Sequence, residues 1–209
     1  MALRYKKTAL LVALMMLFVS ASAVAHHPMG GETPETYLHG FLSGLAHPII
    51  GMDHFAFIVG VGIVLGFGIT RGFVAPLAFI GAAVIGTVSN WLGATVPFVE
   101  TMVALSVLGV AATVFFKPQR QTLITLGGTA AAFCHGQAYG GAILGAESSP
   151  LITYLIGFSL IQVAIAATAY LLTRWLLARR QGDAPLFRAS GGAAIGSVGL
   201  VSMAIAIVM

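Results

Sequence analysis

Two short stretches of this 209-residue chain hold most of its chemistry. The run His47-Pro48-Ile49-Ile50-Gly51-Met52-Asp53-His54 sets two imidazoles and a carboxylate close together. Further on, Cys134-His135 lies inside an apolar segment, and His39, Glu100 and Glu147 stand in separate segments. Imidazole nitrogen combined with carboxylate oxygen suits borderline divalent cations such as Ni, Co, Zn or Cu. Mg and Ca prefer oxygen alone. On a continuous helix His47 and His54, seven residues apart, share a face, and Asp53 is turned about 100° from His54. The candidate metal ligands are therefore His47, Asp53, His54 and His135, with His39, Glu100, Glu147, His26 and His27 as further donors. Each has a plainer alternative. His47 could cap a helix, Asp53 could orient a neighbouring imidazole, Glu100 could be an interfacial carboxylate, and Cys134 is read as a packing residue.

No catalytic pattern competes. The chain lacks H-E-x-x-H, a nucleophile elbow and a phosphate-binding loop. Paired cysteines of a structural zinc site are also absent. The expectation is a non-enzyme with no tightly bound cofactor, for which the metal ion is cargo.

The elements that position these residues must lie in lipid. Hydrophobic residues make up 58% of the chain and charged residues 8%, against roughly 25% charged in soluble domains. The net charge of +4 falls to +1 once Arg4, Lys6 and Lys7 are set aside, so no basic patch points to nucleic acid. The single Cys134 excludes an intrachain disulfide. Residues 1–25 have the three parts of a secretory signal: a basic start, the apolar run Thr8 to Val19, and Ala23-Val24-Ala25 as an A-x-A cleavage site. Cleavage there leaves His26-His27 at the mature N-terminus. Its amine, imidazoles and backbone nitrogens could chelate metal.

Residues 26–35 read as an extracytoplasmic loop, and 36–209 as a transmembrane helical domain. Six apolar spans are expected, at about 48–70, 72–91, 97–116, 121–142, 150–177 and 189–208. Most reach the ~20 residues needed to cross a core of ~30 Å. The runs do not alternate with period two, which excludes a barrel. Residues 36–46 are too short to span and suit an interfacial or re-entrant helix, with Pro48 opening the first span at its N1 position. The fold class is thus all-α, a six-span bundle after a cleaved signal peptide. With the mature N-terminus outside, the inner loops hold Arg71, Lys117, Arg120, Arg174, Arg179, Arg180 and Arg188, and the outer loops hold no Lys or Arg. That asymmetry fits the positive-inside rule. It implies a bacterial inner membrane protein with both mature termini extracytoplasmic. The pairs Gly62/Gly66, Gly136/Gly140 and Gly141/Gly145 have the spacing that lets helices approach closely in lipid.

This topology brings the ionisable groups to one depth. His135 lies 14 residues beyond Gln121, about 21 Å above the inner face, level with the outer ends of the other segments. Ionisable groups in a membrane are expensive and point to function.

The run His47 to His54 resembles the HPxxGxDH signature of the HupE/UreJ family. Phe133-Cys134-His135-Gly136-Gln137-Ala138 resembles the same family's second motif, around His-Gly-x-Ala in the fourth span. The likeness extends over nearly the whole chain, including the signal peptide and terminal helices. It implies a secondary permease for nickel or cobalt, linked to hydrogenase, urease or cobalamin metabolism. One departure stands out: the family's second motif carries another His after the Ala, where this chain has Tyr139. The alternatives are a membrane metal-binding or assembly protein that transports nothing, and a membrane metalloenzyme. The expected partners are the divalent ion and the bilayer, with the oligomeric state left open. Since only a neutral imidazole binds metal, uptake should fall as pH drops through the histidine range, near 6.5 if unperturbed.

Overall fold

The computed structural model describes residues 33–70, 74–141 and 143–208. The expected signal peptide, and with it His26 and His27, lies outside the described residues. Every regular element described is helical: α1 (Tyr37–Ile50), α2 (Met52–Gly66), α3 (Val74–Trp91), α4 (Val99–Phe116), α5 (Gln121–Gly141), α6 (Ser148–Arg179), a 3-10 turn at Gln181–Asp183, and α7 (Ala184–Val208). The protein is an all-α membrane-type bundle. Four of the described helices, α3, α4, α6 and α7, are long and apolar enough to cross a membrane, and the pair α1 and α2, bent by 78°, makes a fifth such segment. Helix α5 has 21 residues, a sufficient length, but its glycines, threonines, His135 and Gln137 make it less apolar. Large side chains such as Leu77, Leu105, Leu126, Leu171 and Leu200 face outward, as lipid requires.

Small residues set which helices pair and in which direction. Gly40 and Gly44 of α1 meet Pro150 and Tyr154 of α6, while Gly62 and Gly66 of α2 meet Ala166 and Thr173 further along the same helix. The α1–α2 segment therefore runs alongside α6 in the same direction. Helix α6 has 32 residues and so extends about 48 Å, long enough to receive both. On α5, Gly136 rests against Ala83 and Gly140 against Asn90 of α3, so α3 and α5 are also parallel. Gly192 meets Phe115 and Gly199 meets Leu108, which makes α7 antiparallel to α4. Two of the three glycine pairs read from the sequence thus sit in helix seams. The third does not: a side chain at Gly141 or Gly145 would meet nothing within 4 Å, and Gly145 adopts φ +82 in a turn.

The start of the first span differs from the sequence expectation. Pro48 does not open a helix; it lies in the last turn of α1, which continues to Ile50. Proline there removes one donor, which leaves the carbonyl one turn back, on Gly44, to be met elsewhere. The break falls at Gly51, whose backbone is extended (φ −71, ψ 101). Gly51 joins the two helices: its N–H donates to the His47 carbonyl at 3.1 Å, and its own carbonyl accepts from Phe55 at 2.8 Å.

Candidate functional site

The break at Gly51 changes how His47 and His54 meet. They do not share one helical face, because they belong to two helices. His47 ends α1 and His54 begins α2, and the bend folds their rings to 5.6 Å between centroids. Glycine is needed at the hinge, since a Cβ on Gly51 would stand 2.6 Å from His54 Cδ2. His135 comes in from α5, with its Nδ1 2.7 Å from His54 Nδ1. Phe57, one turn beyond His54, stacks on the His135 ring at 4.2 Å. His47, Asp53, His54 and His135 are all buried. The structure therefore gathers these four residues around the α1–α2 break.

The hydrogen bonds fit one set of tautomers. Ser106 Oγ donates its only proton to the Val103 carbonyl at 2.7 Å. In that set it accepts from His135 Nε2, at 2.8 Å. A neutral His135 so held carries its lone pair on Nδ1 and accepts from His54 Nδ1–H. Asp53 favours the same arrangement: its Oδ1 accepts from the His54 backbone N–H at 2.7 Å and lies 3.8 Å from His54 Nδ1. The lone pair of His54 is thus on Nε2. His47 follows a similar rule. Tyr154 OH donates to the Tyr139 carbonyl at 3.2 Å, so His47 Nδ1–H donates to the phenol oxygen at 3.3 Å, and its lone pair also falls on Nε2. The Tyr139 ring lies 5.0 Å from His47 and 4.4 Å from His54. Its hydroxyl is buried and has no hydrogen-bond partner among the described residues.

In this arrangement one nitrogen of His47 and one of His135 are fixed by the hydroxyl oxygens of Tyr154 and Ser106, as oxygen partners orient a metal-binding histidine. Among the described residues, however, no three His, Cys, Asp or Glu side chains converge closely enough to hold an ion together. Among the described residues, the hydroxyl oxygens of Tyr139, Tyr154 and Ser106 are further donors beside the imidazoles.

The remaining candidates stand apart. His39 lies two turns before His47 on α1, half-buried, and its backbone N–H is capped by Thr36 Oγ1 at 3.1 Å. Glu100 is exposed in the first turn of α4. Glu147 is exposed at the N-cap of α6. Cys134 points away from His135, with its Sγ 3.8 Å from Met102 Sδ.

Sequence reasoning did not single out Phe57, Ser106 or Tyr154, each of which touches a site imidazole. Ser106 and Tyr154 are polar residues within otherwise apolar helices, and that was the available signal. Phe57 gave none. Gln137 was quoted only as part of a motif. Its buried side chain accepts from Asn90 Nδ2 at 3.3 Å and from Val96 N at 3.1 Å, and donates to Ser89 Oγ at 2.6 Å and the Ala94 carbonyl at 3.0 Å. One amide thereby ties the α3–α4 loop to α5, one turn from the histidine cluster.

The family model described as "HupE / UreJ protein" matches residues 13–202. A curated relative, Protein HupE of Rhizobium leguminosarum bv. viciae, is 27% identical over 168 residues, which cover 73% of this chain and 83% of that protein. No solved structure matches the chain. The matched span contains all the described helices up to the last turns of α7, together with both histidine motifs, and the chain belongs to the HupE/UreJ family.

Proposed function

We propose that this protein is a secondary permease for a divalent transition-metal cation, Ni²⁺ or Co²⁺, which it captures at the cluster of His47, Asp53, His54 and His135. The observation that carries this reading is the contact between His54 Nδ1 and His135 Nδ1 at 2.7 Å inside a membrane-type bundle. Two imidazole nitrogens at that separation share one proton. A metal ion bound by both Nδ1 atoms would take that proton's place, the proton moving to His54 Nε2, at nitrogen–metal distances of about 2.0–2.1 Å as for zinc. Protonation of either ring to imidazolium removes the lone pair that the metal needs, so uptake falls at low pH. The incomplete ligand set suits a carrier, since a transported ion must also leave. Association of the family with nickel and cobalt handling supports the choice of ions, and imidazole ligands favour them over Mg²⁺.

In this reading α5 is also a span, giving six. The parallel pairs α2/α6 and α3/α5 and the antiparallel pair α4/α7 are the directions that six alternating crossings produce. The basic loops then face the cytoplasm of a bacterial inner membrane, both mature termini lie outside, and residues 1–25 are a cleaved signal. The chain holds no nucleotide site and works without a resident cofactor or catalysis. Metal-resolved uptake into proteoliposomes tests the proposal. Saturable Ni²⁺ or Co²⁺ uptake that Mg²⁺ does not inhibit is expected. Binding without uptake would instead make the protein a membrane metal-binding accessory.

A further inference from the structure

Gln137 is two residues from His135 on α5 but faces elsewhere. Two residues turn a helix by about 200°, so its side chain leaves the histidine cluster and enters the α3–α4 connection. There the amide is fully used. The Val96 N–H can only donate and the Ala94 carbonyl can only accept, and these two partners fix which end of the amide is oxygen. Gln137 Oε1 accepts from Val96 at 3.1 Å, and Nε2 donates to Ala94 at 3.0 Å. Asn90 Nδ2 donates a second bond to the same oxygen at 3.3 Å, and Ser89 Oγ accepts the second amide proton at 2.6 Å.

The loop that Gln137 holds is strained. Gly93 adopts φ +91, and Phe98, the last residue before α4, adopts φ +56. A bulky residue in the left-handed region is an outlier that persists only where its surroundings over-determine it. The Phe98 ring is exposed, so the hold comes through the loop, where the Gln137 amide grips Ala94 and Val96. Helix α4 starts one residue after Phe98, and Ser106 lies seven residues beyond Val99, about two turns in. Helix α7 meets α4 further along, at Leu108 and Phe115, and the near half is tethered by the loop. Ser106 Oγ stands 2.8 Å from His135 Nε2. Amide, loop, helix start and hydroxyl thus form one chain of contacts that leaves α5 at Gln137 and returns to it at His135.

We infer that Gln137 is a positioning residue for the His135 imidazole: by pinning the α3–α4 loop it fixes where α4 begins and holds the Ser106 hydroxyl against His135 Nε2, which keeps His135 Nδ1 turned towards His54. Gln137 itself touches no ion. The metal's part in this inference rests on the permease reading; the hold on the His135 ring does not.

A double-mutant cycle on the purified full chain tests it. Gln137→Leu removes the amide and keeps most of the bulk, and Ser106→Ala removes the hydroxyl. Each alone should weaken Ni²⁺ binding, read by calorimetry, about tenfold, as expected for a group that orients a metal-binding histidine. The double variant should bind no more weakly than the worse single variant, because residues acting through one another are not additive. Multiplied losses, about a hundredfold together, would make Gln137 an independent structural residue and overturn the inference, as would unchanged affinity in Gln137→Leu. Should that variant not accumulate, Gln137→Glu runs the same cycle, since it keeps an acceptor for Val96 and loses the donor to Ala94. A second readout uses no metal. Nitrogen-15 spectra of the imidazoles should show His135 protonated on Nε2 in the parent and a mixture of both tautomers in Gln137→Leu and Ser106→Ala alike. An unchanged His135 spectrum in Gln137→Leu would overturn the inference whether or not metal binds. The expected spectra together with no Ni²⁺ binding by the parent would leave the role of Gln137 standing and remove the permease.

Discussion

The two ends of the α2–α6 seam differ sharply. Around the α1–α2 break, imidazoles, phenols and one carboxylate pack with no spare room, and His47, His54, His135, Tyr139 and Tyr154 are each at most 3% exposed. Beyond Phe57 the same helices diverge around a cavity of about 700 Å³ with mostly apolar walls. In the permease reading the first region discriminates between ions, because its nitrogens are held in place by hydrogen-bond partners. The second offers an ion few donors, because its walls are mostly apolar.

The comparison breaks first at the imidazoles. His54→Ala and His135→Ala should each abolish saturable Ni²⁺ or Co²⁺ uptake in proteoliposomes while membrane insertion stays normal. Wild-type rate and affinity in both variants would make the cluster structural. Asp53→Asn should weaken binding less, since it keeps the shape of the carboxylate and removes only its charge.

A smaller effect tests the hinge that builds the cluster. In Gly51→Ala the new methyl meets the His54 ring at 2.6 Å, and the ring must turn away from His135. Uptake should drop about tenfold, because a displacement near 1 Å at a preorganised site can lose on the order of 100-fold and part of it can relax. Gly141→Ala is the control, with nothing within 4 Å of the added methyl. Equal uptake by both variants would show that the close approach at Gly51 is unimportant.

Much of this contrast was readable in the sequence, and the part that was not has physical causes. Apolar runs located the helices because lipid demands continuous hydrophobicity, and the motif residues named the four side chains that come together. Their meeting was foreseen for the wrong reason. A seven-residue spacing on one helix gave the right neighbours, but the chain breaks at Gly51 and the pairing arises from a fold between two helices. Pro48 drew attention as the breaker, although proline is tolerated in a last turn and the extended glycine three residues later makes the break. The cavity left no trace in the sequence. It depends on how four helices diverge, and its wall residues are ordinary membrane residues.

Tyr139 sharpens the comparison further. It occupies the place where the family's second motif has histidine, and its buried hydroxyl lies on a ring in contact with His47 and His54. Tyr139→His would add a nitrogen donor to a two-imidazole contact. We expect several-fold tighter Ni²⁺ binding by calorimetry and slower turnover, because release becomes harder. Tyr139→Phe should change affinity only a few-fold in the opposite direction. If Tyr139→His left both affinity and turnover untouched, the phenol would face away from the path of the ion.

The smallest effects belong to the carboxylates at the helix ends. Glu100 lies in the first turn of α4 and Glu147 is the N-cap residue of α6, both exposed. A negative charge beside a helix N-terminus interacts favourably with the helix dipole, by about 0.3–1 kcal/mol at a surface. That interaction accounts for both residues without metal. Glu100→Gln and Glu147→Gln should therefore lower thermal stability slightly and leave uptake within twofold of the parent. His39→Ala should behave in the same way, since only the His39 backbone is used in capping α1. Complete loss of uptake in any of the three, at normal expression, would mean that the ion is first held at the rim. The buried imidazoles would then act second, receiving an ion that had already shed part of its water.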